Sequence, residues 1–241
     1  MSTVVSISSD FSFSFSEGNA LFSTQGQELC LESGMIFGLF GSNGVGKTTL
    51  LNVVNTMIKP TTGCVKYKFQ DKGYVFDASS KELDVNLISN NIRRCFQVPM
   101  LVDEFSVIEN IMLIKRRYDK ENNRHLFDNN SIYADDRVYE LLAITGISAQ
   151  ERTGDLSYGQ RRLLANIQMI YCEAPLLILD EPFANLHESI ISVLIDEYKS
   201  IVRKQSVTIL VVEHKRDVIE AFANRIISIA DKRLFFEDTD A

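Results

Sequence analysis

Residues 41–49 read Gly-Ser-Asn-Gly-Val-Gly-Lys-Thr-Thr, directly after the apolar run 35–40 and directly before a helix-forming stretch that begins at Leu50. A loop of this composition between a strand and a helix is typical of a phosphate-binding loop, because its glycines let several backbone N–H groups converge on one phosphate. Lys47 adds a mobile positive charge, and the Thr48 hydroxyl is a ligand for Mg²⁺. The alternative, a flexible glycine-rich turn, does not require this setting. The predicted ATP- or GTP-binding residues are Gly41, Ser42, Asn43, Gly44, Val45, Gly46, Lys47, Thr48 and Thr49.

The composition of the chain limits the classes of protein to which it can belong. With 241 residues and 45% hydrophobic content, the chain is long enough for one large α/β domain or two small ones. The formal net charge is −7 and the longest basic cluster is residues 115–117, so no nucleic-acid partner is expected. Four scattered cysteines without a CxxC pair indicate reduced thiols in a cytosolic protein. The apolar runs are too short to span a bilayer and the first residues lack a secretory pattern, so direct membrane insertion is not expected.

The first two thirds of the chain mix two periodicities. The Phe/Ser alternation over residues 11–16 has a period of two, which predicts a half-buried antiparallel strand. Further strands are predicted at residues 28–31, 35–40, 64–69 and 73–76. Apolar residues then recur at helical spacing, which predicts helices at 106–118 and 135–145. We therefore expect an antiparallel β subdomain and an inserted helical subdomain at roughly residues 98–158.

The final third of the chain alternates between helices and strands, which indicates a parallel sheet. The predicted elements are a helix at 157–171, a strand at 176–179, a helix at 187–202, a strand at 207–212, a helix at 216–223 and a strand at 225–229. Because no linker interrupts the pattern, the prediction is one domain over residues 1–241.

Two carboxylates follow the buried strand of this alternation. Asp180 and Glu181 come directly after Leu176-Leu177-Ile178-Leu179, at the end of a parallel strand where ligands bind. Asp180 is placed to hold the water shell of Mg²⁺, and Glu181 to orient and deprotonate an attacking water. Either acid alone could merely cap the next helix. The pair, in a chain that also has a phosphate-binding loop, favours catalysis.

Residues 156–162, Leu-Ser-Tyr-Gly-Gln-Arg-Arg, stand about twenty positions before these acids. Here the chain resembles the ATP-binding cassette (ABC) family, whose signature in this position is Leu-Ser-Gly-Gly-Gln; Tyr158 replaces the first glycine. Ser157 and Gly159 open a helix, where backbone N–H groups and a hydroxyl bind phosphate. Taken alone, the pentapeptide is explained equally well by an ordinary helix cap at Ser157, and its position between the phosphate-binding loop and the acids favours the signature. The resemblance implies that Ser157, Gly159 and Gln160 contact ATP held by the opposite subunit.

The resemblance assigns two further residues. Gln97, in Arg93-Arg94-Cys95-Phe96-Gln97, is similar to the family's Q-loop glutamine, which contacts Mg²⁺ or water. His214 is similar to the switch histidine, which contacts the γ-phosphate. Without the family context, a lone glutamine before a valine-proline pair would carry no meaning, and a structural histidine would be the better reading of His214. His125 and His187 receive no ligand role.

One position, His187, departs from the family pattern, and the residue that would stack on adenine is not fixed by that pattern. His187 stands where most relatives have an aspartate, so communication between two ATP sites is expected to differ from theirs. Phe15 is the candidate for stacking on adenine, with a core aromatic of the first strand as the alternative.

The resemblance implies an α/β fold with a P-loop NTPase core of the RecA-like type and a cytoplasmic ATPase that uses ATP and Mg²⁺. Glu181, His214 and Gln97 would be catalytic, and Thr48, Gln97 and Asp180 would hold the metal. The partners would be a second ABC ATPase subunit, in a homo- or heterodimer, and separate membrane-spanning permease subunits at the cell membrane.

The tyrosine-containing signature with paired arginines, together with residues 93–97 and 105–110, is similar to ATPases of branched-chain amino acid and urea importers. A soluble ABC ATPase for assembly or DNA maintenance and the ATPase of an exporter remain as alternatives. A single-site kinase or GTPase would lack the signature and His214. The solute, the direction of transport and the composition of the dimer stay open.

Overall fold

The computed structural model describes residues 2–16, 19–80, 91–119, 136–172 and 174–237. They divide into two compact units. The first comprises Met1–Arg94, Ala174–Glu181 and Lys199–Ala241, and the second comprises Cys95–Glu173 and Pro182–Tyr198.

The strands belong to the first unit, apart from the last residue of β8. In chain order they are β1 (Thr3–Ile7), β2 (Ser12–Ser14), β3 (Ala20–Ser23), β4 (Leu29–Glu32), β5 (Ile36–Gly41), β6 (Cys64–Phe69), β7 (Lys72–Asp77), β8 (Ile92–Cys95), β9 (Leu176–Asp180), β10 (Thr208–Val212), β11 (Arg225–Ala230) and β12 (Arg233–Phe236). They form a four-stranded sheet in the order β4-β1-β6-β7 and an eight-stranded sheet in the order β2-β3-β12-β11-β5-β10-β9-β8.

The larger sheet has a parallel centre formed by β11, β5, β10 and β9. In this register Val212 pairs with Leu39 on one side and with Asp180 on the other. Strands buried on both faces read as continuous apolar runs, as in β9 and β10, each of which is buried throughout. The ends of β5, β9 and β10 therefore lie side by side.

The smaller sheet is antiparallel, and its alternation of buried and exposed residues is clear in β6, where Val65, Tyr67 and Phe69 are buried. Both sheets contribute to one apolar core. Val5 and Leu31 of the smaller sheet and Phe37 and Leu210 of the larger one belong to it, each at most 1% exposed. Burial of such side chains stabilises the fold by about 1.5–3 kcal/mol each.

The helices divide between the units. In the first unit lie α1 (Lys47–Val54) and α6 (Arg216–Phe222), both packed against β5; the second holds α2 (Val107–Asp119), α3 (Asp136–Thr145) and α4 (Tyr158–Tyr171). A further helix, α5 (Glu188–Gln205), begins in the second unit and ends in the first. Among the described helices, none has the length and apolar character needed to cross a bilayer.

The second unit is organised around α4, against which α2 and α3 pack. The buried Asn110 side chain ties its loops together. Its Oδ1 accepts from the Val102 amide at 2.9 Å, and its Nδ2 donates to the Val102 carbonyl at 3.0 Å and to Thr153 Oγ1 at 2.8 Å. The loop before α2 is thereby fixed to the segment that precedes α4.

The structure confirms the predicted α/β class, the antiparallel sheet, the parallel sheet and the helices of the middle region. The predicted start of the helix at residue 135 lies outside the described residues, and the rest of it is α3. The sequence patterns did not predict β1, β3, β8 and β12, which are at most six residues long. The range 98–158 falls in the second unit, which also contains residues 182–198. The assignment of the whole chain to one domain stays a prediction.

Gly38 of β5 offers a test of the packing between β5 and α6. A Cβ atom there would lie 2.6 Å from Ile219 Cγ1 and 3.2 Å from Ala223 Cβ. Since overpacking typically costs about 1–3 kcal/mol, we expect Gly38→Ala to lower the free energy of unfolding by that amount in urea titrations. Gly73→Ala in β7 is the control, because its nearest contact would be Tyr67 O at 4.0 Å. Equal stability of the two variants would contradict this packing.

Candidate nucleotide and hydrolysis site

The loop between β5 and α1 owes its shape to its glycines. Gly44 and Gly46 have φ angles of 77° and 107°, a region that other residues rarely adopt. A Cβ atom on Gly46 would also lie 2.8 Å from Leu21 Cδ2 and from Phe22 Cε1. Gly46 is the residue before α1, so the loop passes closely over β3 and then aims the first N–H groups of the helix outward. These donors suit a phosphate.

Lys47 is held inside this loop by backbone oxygens. Its Nζ donates to the carbonyls of Gly41 at 2.7 Å and of Ser42 at 3.0 Å. Burial lowers the pKa of the Lys47 amine, and the charges of Glu181 and Asp180 oppose that shift. The amine is thus positioned beside the loop, where its charge meets a bound polyphosphate.

Glu181 and His214 form a pair at the ends of neighbouring strands. The Glu181 amide donates to the Val212 carbonyl at 3.0 Å, which extends the pairing of β9 with β10 by one residue. Glu181 has a φ angle of 51°, in the left-handed region. The side chains then meet, with His214 Nε2 2.6 Å from Glu181 Oε1. A carboxylate held in this way is oriented for a general base.

A cavity of about 390 Å³ joins these groups within the first unit. Its walls include Gly44, Lys47 and Thr48 of the loop, together with Glu181 and His214. The residues predicted to bind phosphate and those predicted to activate water therefore face the same space.

Phe15 also lines this cavity and is 76% exposed, whereas Phe11 and Phe13 are buried. The three aromatics thus do not share one buried face. Phe15 lies beyond the end of β2, with its ring at 87° to that of Phe13 and 5.0 Å away. An exposed ring beside the loop suits base stacking, so this role stays a prediction with a structural reason.

The oxygen donors present fit Mg²⁺. The Thr48 side chain is exposed at the first turn of α1, and Asp180 ends β9 in the same unit. The described residues contain no group of three or more histidine, cysteine or acidic side chains that could hold a metal. Mg²⁺ does not need one, because it is usually bound by one or two carboxylates together with phosphate oxygens.

The predicted signature residues lie in the second unit, at the start of α4. Ser157 caps the helix: its Oγ accepts from the Gln160 amide at 3.3 Å, and Gln160 Oε1 accepts from the Ser157 amide at 2.9 Å. The alternative interpretation of Ser157 as a helix cap is therefore confirmed. It is compatible with phosphate contacts, because other N–H groups of the first turn remain oriented outward.

The segment of Gln97 is bound to α4 by Tyr158 and Arg162, to which the sequence analysis assigned no such contact. Arg162, 1% exposed, donates to the Phe96 carbonyl at 3.1 Å and also to the Gln97 carbonyl. The Tyr158 hydroxyl donates to the same Gln97 carbonyl and accepts from Arg162, both at 3.2 Å. Tyr158, a departure from the family signature, thus helps to position the backbone of the predicted Q-loop glutamine.

Arg94 is another residue that sequence reasoning missed. Its guanidinium forms an ion pair with Asp180 at 2.7 Å, and both side chains are at most 4% exposed. The available signal was a pair of arginines in an otherwise apolar short segment before Gln97. Nothing local to that segment shows which acid lies opposite.

The sequence of this chain is similar to those of known ATP-binding proteins. The sequence profile of a family described as "ABC transporter" matches residues 24–184. The phosphonates import ATP-binding protein PhnC 2 of Oceanobacillus iheyensis is 30% identical over 207 residues, covering 85% of this chain and 79% of the relative. The methionine import protein MetN of Photobacterium profundum is 29% identical, covering 86% and 56%. The nucleoside import protein NupA of Lactococcus lactis is 31% identical, covering 83% and 37%, so the chain spans about half or less of these two proteins.

Two solved structures share the fold. CbiO1 of Clostridium perfringens has a TM-score of 0.73 at 24% identity, covering 98% of this chain and 88% of that one. The cassette MJ0796, in a dimeric post-hydrolysis state with ADP and Pi, has a TM-score of 0.75 at 21% identity, covering 98% and 99%. At these identities the likeness concerns the fold alone.

The binding of the Gln97 segment to α4 yields a stability test. Tyr158→Phe removes the two hydrogen bonds of the hydroxyl and should cost about 1–2 kcal/mol, whereas Arg162→Met should cost about 3 kcal/mol, since bonds from a charged group to backbone carbonyls are stronger. Arg161→Met is the matched control. Arg161 pairs with Asp103, which is 55% exposed at its side chain, so its ion pair should contribute at most about 1 kcal/mol. Urea unfolding measures all three. An Arg162 variant as stable as the Arg161 control would refute the proposed role of these bonds.

Proposed function

Since this chain belongs to the ABC transporter family, whose members hydrolyse ATP, we propose that it is the ATPase subunit of a membrane importer. The observation that carries the proposal is the single cavity lined by the phosphate-binding loop and by the Glu181–His214 pair. Binding of a polyphosphate and activation of water need both sets of groups in one place.

The geometry supports the following division of labour. The N–H groups of the loop and Lys47 bind the phosphates of ATP, and Phe15 stacks on the base. Glu181 takes a proton from the attacking water, while its hydrogen bond with His214 keeps the carboxylate oriented. Thr48 and Asp180, with Gln97 by family resemblance, would hold Mg²⁺, which neutralises phosphate charge when bound.

The same proposal includes a head-to-tail dimer. Ser157, Gly159 and Gln160 open α4, and their N–H groups would complete the ATP site of a second ABC ATPase subunit. The dimeric post-hydrolysis state of the MJ0796 cassette, bound to ADP and Pi, supports a dimer for a protein of this fold. Whether the two chains are identical is decided by which subunit co-purifies.

The importer assignment rests on the names of the relatives. The three relatives described above import phosphonates, methionine and nucleosides, and they support an import subunit on the cytoplasmic face of a membrane with separate permease subunits. They do not support the branched-chain amino acid or urea subfamily, which rests on the tyrosine-containing signature with its paired arginines and on residues 93–97 and 105–110. The solute is therefore proposed only as a small polar metabolite of the kind that such systems import.

Glu181→Gln tests the hydrolytic mechanism. It keeps the size of the side chain and removes its basicity, so the rate of ATP hydrolysis should fall by about 10²- to 10⁴-fold while ATP stays bound. Gel filtration with light scattering in ATP and Mg²⁺ should show accumulation of the closed dimer. Lys47→Ala is the control, because loss of the phosphate-binding amine should prevent both ATP binding and dimer formation. A Glu181→Gln variant that hydrolyses ATP at the parental rate would remove Glu181 from the mechanism.

Attachment to a permease can be tested at the exposed apolar residues after Gln97. Val98 and Met100 are 68% and 76% exposed, which is unusual for side chains of their size in a short segment. We expect Val98→Asp combined with Met100→Asp to abolish transport in cells but to leave the ATPase activity of the isolated protein intact. Val75→Asp, at an apolar residue of β7 that is 60% exposed, is the control. Unimpaired transport in the double variant would exclude this surface as the permease contact. If no membrane protein co-purifies with the parental protein from solubilised membranes, a non-transport ATPase would be favoured.

A further inference from the structure

A buried ion pair lies at the carboxylate assigned to the metal. Arg94 Nη2 is 2.7 Å from Asp180 Oδ2, and the two side chains are 3% and 4% exposed. The other arm of the same guanidinium, Nη1, donates to Asn52 Oδ1 at 2.6 Å. Asn52 belongs to α1, the helix that begins at Lys47. One arginine therefore bonds the end of β9 to the helix of the phosphate-binding loop, within the first unit.

The burial of Asp180 makes a counter-ion necessary. A carboxylate removed from water is strongly disfavoured unless an opposite charge compensates it, and loss of one partner of a buried pair is far more costly than loss of the whole pair. Mg²⁺ would bring such a charge only together with nucleotide. Before nucleotide arrives, the cation that contacts Asp180 is Arg94.

The contact also makes the two oxygens of the Asp180 carboxylate different, because Arg94 bonds to one of them. Asp180 Oδ2 accepts from Arg94, and the planar fork of the guanidinium, fixed by Asn52, limits rotation of the carboxylate. This contact leaves Oδ1 as the oxygen that could accept a bond from a metal-bound water or ligate a metal. Lys47 supplies a second positive charge in the same region; burial lowers the pKa of its amine, and the negative charges of Glu181 and Asp180 oppose that shift.

We propose that Arg94 is a positioning residue that compensates and orients Asp180 before the metal binds, so that the nucleotide site remains assembled without Mg²⁺. This inference rests on the proposed function, because it concerns the same ATP site. Arg94 contacts neither phosphate nor water in this scheme and acts through Asp180. Its loss should leave Asp180 with an uncompensated charge that only the metal can neutralise.

The test measures how strongly nucleotide affinity depends on the metal. Calorimetry gives the Kd of ADP in EDTA and in Mg²⁺. The readout is the Kd in EDTA divided by the Kd in Mg²⁺. In Arg94→Met we expect this ratio to rise by about tenfold or more over the parental protein, because metal-free binding loses a compensated site that Mg²⁺ restores. The thermal midpoint of the variant should likewise rise more on addition of Mg²⁺ and ADP than that of the parent.

Three further variants separate this role from a merely structural one. Arg94→Lys keeps the charge and should return the ratio close to the parental value, although it loses the bond to Asn52. Asn52→Ala keeps the ion pair and should lower stability without changing the ratio. Addition of Arg94→Met to Asp180→Asn should not change the ratio, since no charge remains to compensate.

An unchanged ratio in Arg94→Met, or an equal rise in the Asp180→Asn background, would overturn the inference. If Arg94→Met does not fold, Arg94→Gln takes its place and the same ratio decides. If the parental protein binds neither ADP nor ATP, with Mg²⁺ or with EDTA, the proposed function itself is refuted. The two failures are thus distinguishable.

Discussion

The parallel register of three strands is the constraint on which the candidate site depends. Val212 of β10 pairs with Leu39 of β5 and with Asp180 of β9, so β9 and β10 end at the same level and β5 ends two residues further on, at Gly41. The phosphate-binding loop leaves β5 at this edge, Glu181 follows β9 and His214 follows β10. Shifting any of these strands by one residue would turn its side chains to the opposite face and separate groups that are now in contact. The positions of the residues in the candidate site are therefore determined by the pairing of the backbone strands.

Elements whose information is local were predictable from the sequence. The loop at residues 41–49, the apolar strands β9 and β10 and the helices with clear periodicity were found where spacing placed them, with ends displaced by a few residues. The short strands β1, β3, β8 and β12 were not predicted. Strands of four or five residues carry too little alternation to be recognised alone, and β3 is recognisable through its pairing with β2 on one side and β12 on the other. Phe15 shows the same limit, since its period-two pattern suggested burial but β2 ends before it.

The site was predictable to the extent that it consists of motifs. The glycine-rich loop, the paired acids and the signature each identify themselves by residue type and spacing. Arg94 and Arg162 do not, because their partners are remote in sequence: 86 residues separate Arg94 from Asp180, and 65 separate Arg162 from Gln97. A buried arginine has meaning only through what lies opposite it. The fold had to be known before these side chains could be assigned a role.

The left-handed backbone of Glu181 has a consequence for the evolution of this chain. A residue with a Cβ atom in that conformation costs about 1–2 kcal/mol, and glycine or asparagine would adopt it more readily. The chain thus keeps at this position a residue that the backbone disfavours, in the place where the proposed mechanism needs a base. Selection for thermal stability alone would tend to replace Glu181, and on the proposed mechanism a homologue with glycine or asparagine there would be more stable but would hydrolyse ATP slowly. On that mechanism, the identity of this one residue would distinguish, within a shared fold, an active ATPase from a relative that only binds nucleotide.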